Sequence, residues 1–304
     1  MKKNVLISGG TGFIGKRLTS LLIEKGYSVS ILSRSKKQDT TDISYYQWDI
    51  SNQSIDEESV LKADFIIHLA GENIAEKRWT QDRKEAIVQS REQSVQLIYD
   101  VLKKNNKKID AFVSASGIGI YGAINGSKIC DENTSPANDF LGTTCQKWEA
   151  AADTIASLGI RVVKIRTGLV LGKDDGFLKK LAPIFKYRLG SALGSGKQYM
   201  PWIHVEDLCA IYFEALYNST MNGAYNAAVY DNTTNASFSK TLAKIFGYSI
   251  WLPNVPAFLL KIILGEMAQI VLTGQRTSSE KIENAGFQFQ YKVIENALRD
   301  CLQK

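Results

Sequence analysis

The chain has 304 residues, 44% of them hydrophobic and 22% charged, which leaves room for one large domain or a large one with a smaller companion. Its net charge of +6 sits in short clusters without a basic tail, so nucleic acid is not an expected partner; solvated lysines or an affinity for small anions account for it. The most apolar stretch, residues 255–274, is interrupted by Lys261, Gly265, Glu266 and Gln269, which predicts one or two packed helices and no membrane partner.

From the first residue, MKKNVLISGG enters a strand and a glycine loop at once, leaving no room for a signal peptide. Short β-branched runs then alternate with longer helical patterns. The runs at 4–8, 27–33, 43–48, 64–70, 110–116 and 160–166 read as strands, several of them apolar enough to be covered on both faces. FIGKRLTSLLIEKG has a helical repeat ending at Gly26, and the stretch from Thr80 to Asn105 sets Ile87, Val95, Ile98, Val101 and Leu102 on one stripe. The alternation predicts an α/β fold, a doubly wound parallel sheet with helices on both sides.

After Arg166 the pattern loosens into a glycine- and lysine-bearing stretch at 172–200. WIHVEDLCAIYFEALYN then resumes strand and helix, GAYNAAV adds a strand, and the chain from Ser237 onward reads as mostly helical. Residues 1–171 and 202–228 are therefore assigned to a nucleotide-binding domain, and 172–201 with 229–304 to a smaller lobe on the substrate side. Cys130, Cys145, Cys209 and Cys301 lie far apart, as suits free thiols in a reducing cytoplasm. The two histidines have no clustered acids beside them, so no metal site is expected.

The loop ISGGTGFIG follows the first strand and opens the first helix. Gly9, Gly12 and Gly15 permit a tight turn and close backbone approach, with Thr11, Phe13 and Ile14 between them. The helix start offers unpaired N–H groups and a positive dipole end to a pyrophosphate, the Rossmann-like arrangement for a dinucleotide. An NAD site usually places an acid at the end of the second strand. Here that end reads Leu32-Ser33-Arg34-Ser35-Lys36-Lys37, where Arg34 can pair with a 2′-phosphate, so NADP is the expected cofactor.

SGGTGFIG, LSRS, HLAGENIAEKRWT followed by Ser90-Arg91, SASGIGIYG, QKWEAAA, RTGLVLG and LGSGKQYMPWIHVEDL together resemble the extended short-chain dehydrogenase/reductases. More narrowly, they are similar to the epimerase-like family that carries the label nucleoside-diphosphate-sugar epimerase or cell-division inhibitor. The C-terminal VPAFLLKIILGEMAQIVLTGQR is similar to that family's own small domain. The resemblance implies that Asp49 and Ile50 flank the adenine, that Leu69, Ala70 and Gly71 line the cofactor ribose, and that the loop Thr167-Gly168-Leu169-Val170 passes beside the nicotinamide. It implies a lobe closing over a cleft at the carboxyl ends of the strands. It also implies a homodimer pairing through two long helices, 80–105 and 138–158.

Most short-chain reductases use a tyrosine to move a proton, a lysine four residues on to lower its pKa, and a serine to orient the substrate. Ser116 stands at the serine's place, but in the register set by Glu149 the other two positions hold Leu141 and Cys145. The expected function is an NADP-dependent oxidoreductase or epimerase-like enzyme on a small polar substrate; the alternative is a redox-silent NADP-binding regulator. Tyr121, the nearest suitable hydroxyl along the chain, would donate the proton beside Ser116, or else simply pack in its turn. Arg78, Trp79, Gln198 and Trp202 are the candidate substrate contacts, with lid packing the alternative for the first two and a core position for Trp202. His68 reads as structural, His204 as a contact between lobes, and Cys145 as an inert thiol.

Overall fold

Period-2 alternation in the first strand already sorts the two layers of the core. In β1 (Asn4–Ser8), Val5 and Ile7 enter one apolar cluster and Leu6 enters another on the opposite face of the sheet. The computed structural model describes residues 2–35, 37–123, 125–173 and 176–302. Its main sheet adds β2 (Ser28–Ser33), β3 (Ile43–Asp49), β4 (Ser54–Ile55), β5 (Phe65–His68), β6 (Ala111–Gly117), β8 (Val162–Thr167) and β11 (Gly223–Ala227). The order is β11-β8-β6-β5-β1-β2-β3-β4, and every pair is parallel except β3 with β4.

Helices cover both faces. α1 (Phe13–Glu24) and α6 (Val205–Tyr217) lie on the Val5/Ile7 side, tied by Arg17 Nε donating to Glu206 at 2.6 Å. α2 (Glu57–Leu61), α3 (Gln81–Lys104) and α4 (Phe140–Ala156) cover the Leu6 side. The α1 sequence forms a helix because Gly15, Leu18, Thr19 and Leu22 recur on one buried face. It stops at Gly26, whose φ of +84° lets Tyr27 N–H reach back to Leu22 O. Truncating a fully buried side chain such as Leu18 to alanine costs ~2–5 kcal/mol. In α3, Thr80 caps the start by accepting from Arg83 N–H, while Lys103 and Lys104 meet the negative dipole end.

The remaining elements surround the carboxyl edge of the sheet. β9 (Leu169–Leu171) pairs in parallel with β10 (Trp202–His204), and β7 (Asn125–Cys130) with β12 (Gly274–Thr277). The helices there are α5 (Gly176–Lys186), α7 (Asn235–Ile245), α8 (Ala257–Leu264), α9 (Gln269–Leu272), α10 (Glu280–Asn284) and α11 (Ile294–Leu302). Two readings from the sequence change. The expected loop at 167–170 feeds a strand, and the mostly helical C-terminal part contains β12. Both strands find their partners far along the chain, and local periodicity does not register that. The apolar stretch at 255–274 is broken at Gly265, and no described helix is long and apolar enough to cross a membrane.

Candidate functional site

The phosphate loop has no room for side chains. A Cβ on Gly15 would fall 2.3 Å from Gly9 O, and one on Gly9, which has φ +76°, would sit 3.0 Å from Ala70 N. Gly12 is the N-cap of α1 and brings no side-chain cap, so the first-turn amides of Phe13, Ile14 and Gly15 have no partner within the helix. Thr11 and Gly12 are exposed, whereas Phe13 packs its ring beneath Gly172 and Gly176. The loop is a backbone cradle of the kind that accepts a pyrophosphate.

At the end of β2, Ser33 is buried and the Arg34 side chain is 83% exposed, with Nη1 3.9 Å from Glu72 Oε1. Glu72 is also held by Arg83 at 2.6 Å. A groove of about 510 Å³ opens beside the loop, with Thr11, Lys16, Lys37 and Tyr45 on its walls, and adds positive charge to that end. Asp49 spends its carboxylate on Ser51 N–H, Asn52 N–H and the Asn52 amide. These bonds, the Asn52 backbone bond foremost, lower its pKa, and Ile50 packs into the core beside it.

Leu69, Ala70 and Gly71 leave β5 at the same edge, with Leu69 N–H on Ser8 O and Ala70 N–H on Ser8 Oγ. Behind Gly71 lies a brace the sequence reading quoted without assigning a role. Arg91 is buried, stacks over Trp148 with Cζ 4.6 Å from the ring centroid, and donates to Ile87 O and Glu72 O. Burial lowers its pKa to about 10, and Ser90 Oγ accepts from Glu72 N–H. Thr167 ends β8 and Gly168 follows it; a Cβ on Gly168 would come 2.8 Å from Pro201 O, while Leu169 and Val170 are fixed in β9.

The carboxyl end of β6 brings Ser116 into a buried polar network. Ser116 Oγ donates to Glu149 Oε1 at 2.7 Å, and Arg166 grips the same carboxylate at 2.8 and 2.9 Å. Burial works against the Arg166 charge, but the bonds to Glu149 outweigh it and raise its pKa. Arg166 Nη1 also donates to Tyr121 Oη at 3.1 Å, and Tyr121 gives its proton to Asn226 Oδ1 at 2.7 Å. Tyr121 is 1% exposed, and burial pushes its pKa up to about 12. Tyr121, expected as a proton donor or else as a packing residue in its turn, has its hydroxyl enclosed and bonded to Asn226 and Arg166. Glu149, Arg166 and Asn226 were missed as a unit; each is a polar or charged residue whose burial no local pattern marks.

The four candidate substrate contacts separate in the same way. Trp202 is fully buried in the core and its indole N–H donates to Asp231, in line with the core position named as its alternative. Gln198 is buried with its amide on Leu193 O and Val271 O, which makes it a strut between segments. Arg78 donates to the carbonyls of Ile262 and Ile263 at the end of α8, and Trp79 donates to Ile74 O and packs edge-on against Phe140. Arg78 is exposed and Trp79 buried, and both tie this loop to neighbouring segments.

Leu141 is half-buried at the start of α4. Burial and the Glu149 carboxylate push the Cys145 thiol up to about 12. His68 sits fully buried against Ser94 at 2.8 Å, and His204 caps α6 while facing Tyr291 and Asp300.

The sequence profile of the NAD dependent epimerase/dehydratase family matches residues 5–228, and that of a domain of unknown function (DUF1731) matches residues 255–301. The epimerase family protein YfhF of Bacillus subtilis is 33% identical over 98% of both chains. A chloroplastic epimerase family protein of Arabidopsis thaliana, a homolog of SDR39U1, is 35% identical over 98% of this chain and 86% of its own. The crystal structure of human SDR39U1 with NADPH superimposes with a TM-score of 0.87, covers 99% of both chains and is 29% identical. UDP-glucose 4-epimerase of Thermotoga maritima, 18% identical with a TM-score of 0.77 over 98% of this chain and 97% of its own, shares the fold.

Proposed function

The chain belongs to the NAD dependent epimerase/dehydratase family, and from that premise we propose that it is an NADP-dependent oxidoreductase or epimerase-like enzyme acting on a small polar substrate. The phosphate loop carries the reading: a strand end, glycines without space for a Cβ, and a helix start whose amides no side chain caps. Preference for NADP rests on Ser33-Arg34 closing β2 where an acid would mark NAD, and the NADPH bound by the human relative supports it. In this reading residues 1–171 and 202–228 hold the nucleotide, and 172–201 with 229–304 close over the substrate.

When bound, the nicotinamide supplies hydride exchange. The chain itself must place the substrate and move one proton. Ser116 already gives its proton to Glu149, so its oxygen is left to accept from a substrate hydroxyl. Arg166 fixes the carboxylate with two bonds, so Glu149 holds the Ser116 hydroxyl in the orientation that accepts from substrate. Leu141 has no titratable group and Cys145 holds its proton, so neither competes.

The redox-silent alternative draws on a specific observation as well: Tyr121 is enclosed and no tyrosine stands in the first turn of α4. The two readings part on one experiment. Oxidation of bound NADPH across a panel of carbonyl compounds and nucleotide sugars, lost in Ser116→Ala, is the expected result. Tight NADPH binding with no turnover on any of them would assign the silent role.

A further inference from the structure

Two segments of the smaller lobe, 176–201 and 232–265, contain eight lysines or arginines and no aspartate or glutamate. Removing those eight leaves 29 basic against 31 acidic residues, so the chain's positive charge resides there. All eight are exposed, and among the described residues only Lys244 has a carboxylate partner, Glu295. The same two segments hold eight of the thirteen large hydrophobic side chains exposed among the described residues. Charge and apolar surface thus concentrate together.

The segments run side by side. Leu193 bridges to Val255, Val255 N–H donates to Ala192 O and Gly194 N–H to Val255 O, both at 2.8 Å, and the Trp251 indole donates to Arg188 O. At one end Tyr187, Arg188 and Leu189 project from a turn in which Arg188 takes a φ of +60°, where glycine is usual. At the other end α8, sequence AFLLKIIL, buries only Leu260 and leaves Phe258, Ile262 and Ile263 more than 60% exposed. A helix with so much exposed apolar surface requires a cover. None of the exposed large hydrophobics lies on α3 or α4, the pair expected to form a dimer.

We propose that this basic, apolar face docks the protein onto the surface of an anionic lipid bilayer. A second copy would set eight positive charges against eight more, and a small apolar ligand would leave those charges unused. An anionic bilayer satisfies both: headgroups meet the lysines and arginines, Trp251 and Tyr187 sit at the interface, and the α8 face enters the acyl boundary. α8 spans only ~12 Å, so attachment is to the surface, in keeping with the lack of a described helix able to cross. Arg78 ties that helix to the loop at the ligand edge of the sheet, so the docking face adjoins the site.

Trp251 is a built-in reporter, 69% exposed where the other four tryptophans are buried. The full chain is mixed with vesicles of phosphatidylcholine, alone or with 30 mol% phosphatidylglycerol. Co-sedimentation and a blue shift of Trp251 emission are expected with the anionic vesicles only, weakening in 0.5 M salt. Charge reversal at Lys186, Arg188 or Lys261 should lower partitioning about 30-fold each. Ile262→Ser should lower it without changing the salt dependence. These positions are exposed, and an unchanged melting temperature and NADPH affinity will show the variants folded. Absence of binding to anionic vesicles, or equal binding by the reversal variants, would overturn the proposal. So would a dimer broken by Ile262→Asp, or saturable binding to an acidic polypeptide alone.

Discussion

The hydroxyl of Ser116 donates to Oε1 of Glu149 at 2.7 Å, while Arg166 holds both oxygens of that carboxylate. Ser116 closes β6, Glu149 belongs to α4 and Arg166 to β8, so three elements meet through one buried ion pair. Where most short-chain reductases place a tyrosine and lysine, this chain has Leu141 and Cys145, and its serine is backed by a carboxylate.

That pair should be costly to break on one side only. Glu149→Ala leaves the Arg166 guanidinium buried and unpaired, a loss of ~3–5 kcal/mol, whereas the double variant Glu149→Leu/Arg166→Met should unfold at higher urea than the single one. Urea melts of both variants decide it; equal midpoints would place the charges in solvent contact.

Ser116 and Tyr121 should separate cleanly. Removal of the Tyr121 hydroxyl leaves Asn226 and Arg166 each short of a partner, so Tyr121→Phe should lower stability by ~1–3 kcal/mol and leave kcat nearly intact. Ser116→Ala should lower kcat ~100-fold or more with little change in stability. Steady-state kinetics beside thermal melts read both. A kcat collapse in Tyr121→Phe would return that hydroxyl to the reaction.

Cofactor choice should follow Arg34. Its exposed guanidinium can turn from Glu72 to a 2′-phosphate, so NADPH should bind at least ~10-fold tighter than NADH, or ~1.4 kcal/mol. Arg34→Ala should erase most of that margin in a fluorescence titration. Equal affinities in the unmodified chain would assign the cofactor differently.

Acid should act first through His68. Burial, then the Arg91 charge, depresses its pKa from 6.5 to about 3. The folded state therefore favours the neutral ring. That contribution is present above pH ~6.5 and lost as pH falls towards 3, on the order of 4 kcal/mol in all. His68→Gln cannot take up the proton, so its stability curve should fall less steeply across that window in pH-dependent urea melts.

Much of the site was legible beforehand for a local reason. A glycine spacing between a strand and a helix specifies backbone shape within a dozen residues, and Arg34 lies one step past the strand that precedes it. Roles that depend on where a side chain lands did not follow. Trp202 and Gln198 sit in a stretch that runs along the cleft in sequence terms, yet both side chains turn inward to Asp231, Leu193 and Val271. Whether an aromatic faces a ligand or the core is set by partners up to 73 residues away.

By itself the sequence determined the alternation of strands and helices, the parallel sheet and the place of the phosphate loop. Each of these follows from hydrophobic period and glycine geometry within one element. Only the tertiary structure decided that Tyr121 is enclosed, that β12 pairs with β7, and that Ser116, Glu149 and Arg166 form one network. Those outcomes depend on side chains 17 to 149 residues apart meeting at the carboxyl edge of the sheet. Burial then removes water from the polar groups gathered there, and each must bond to another part of the chain.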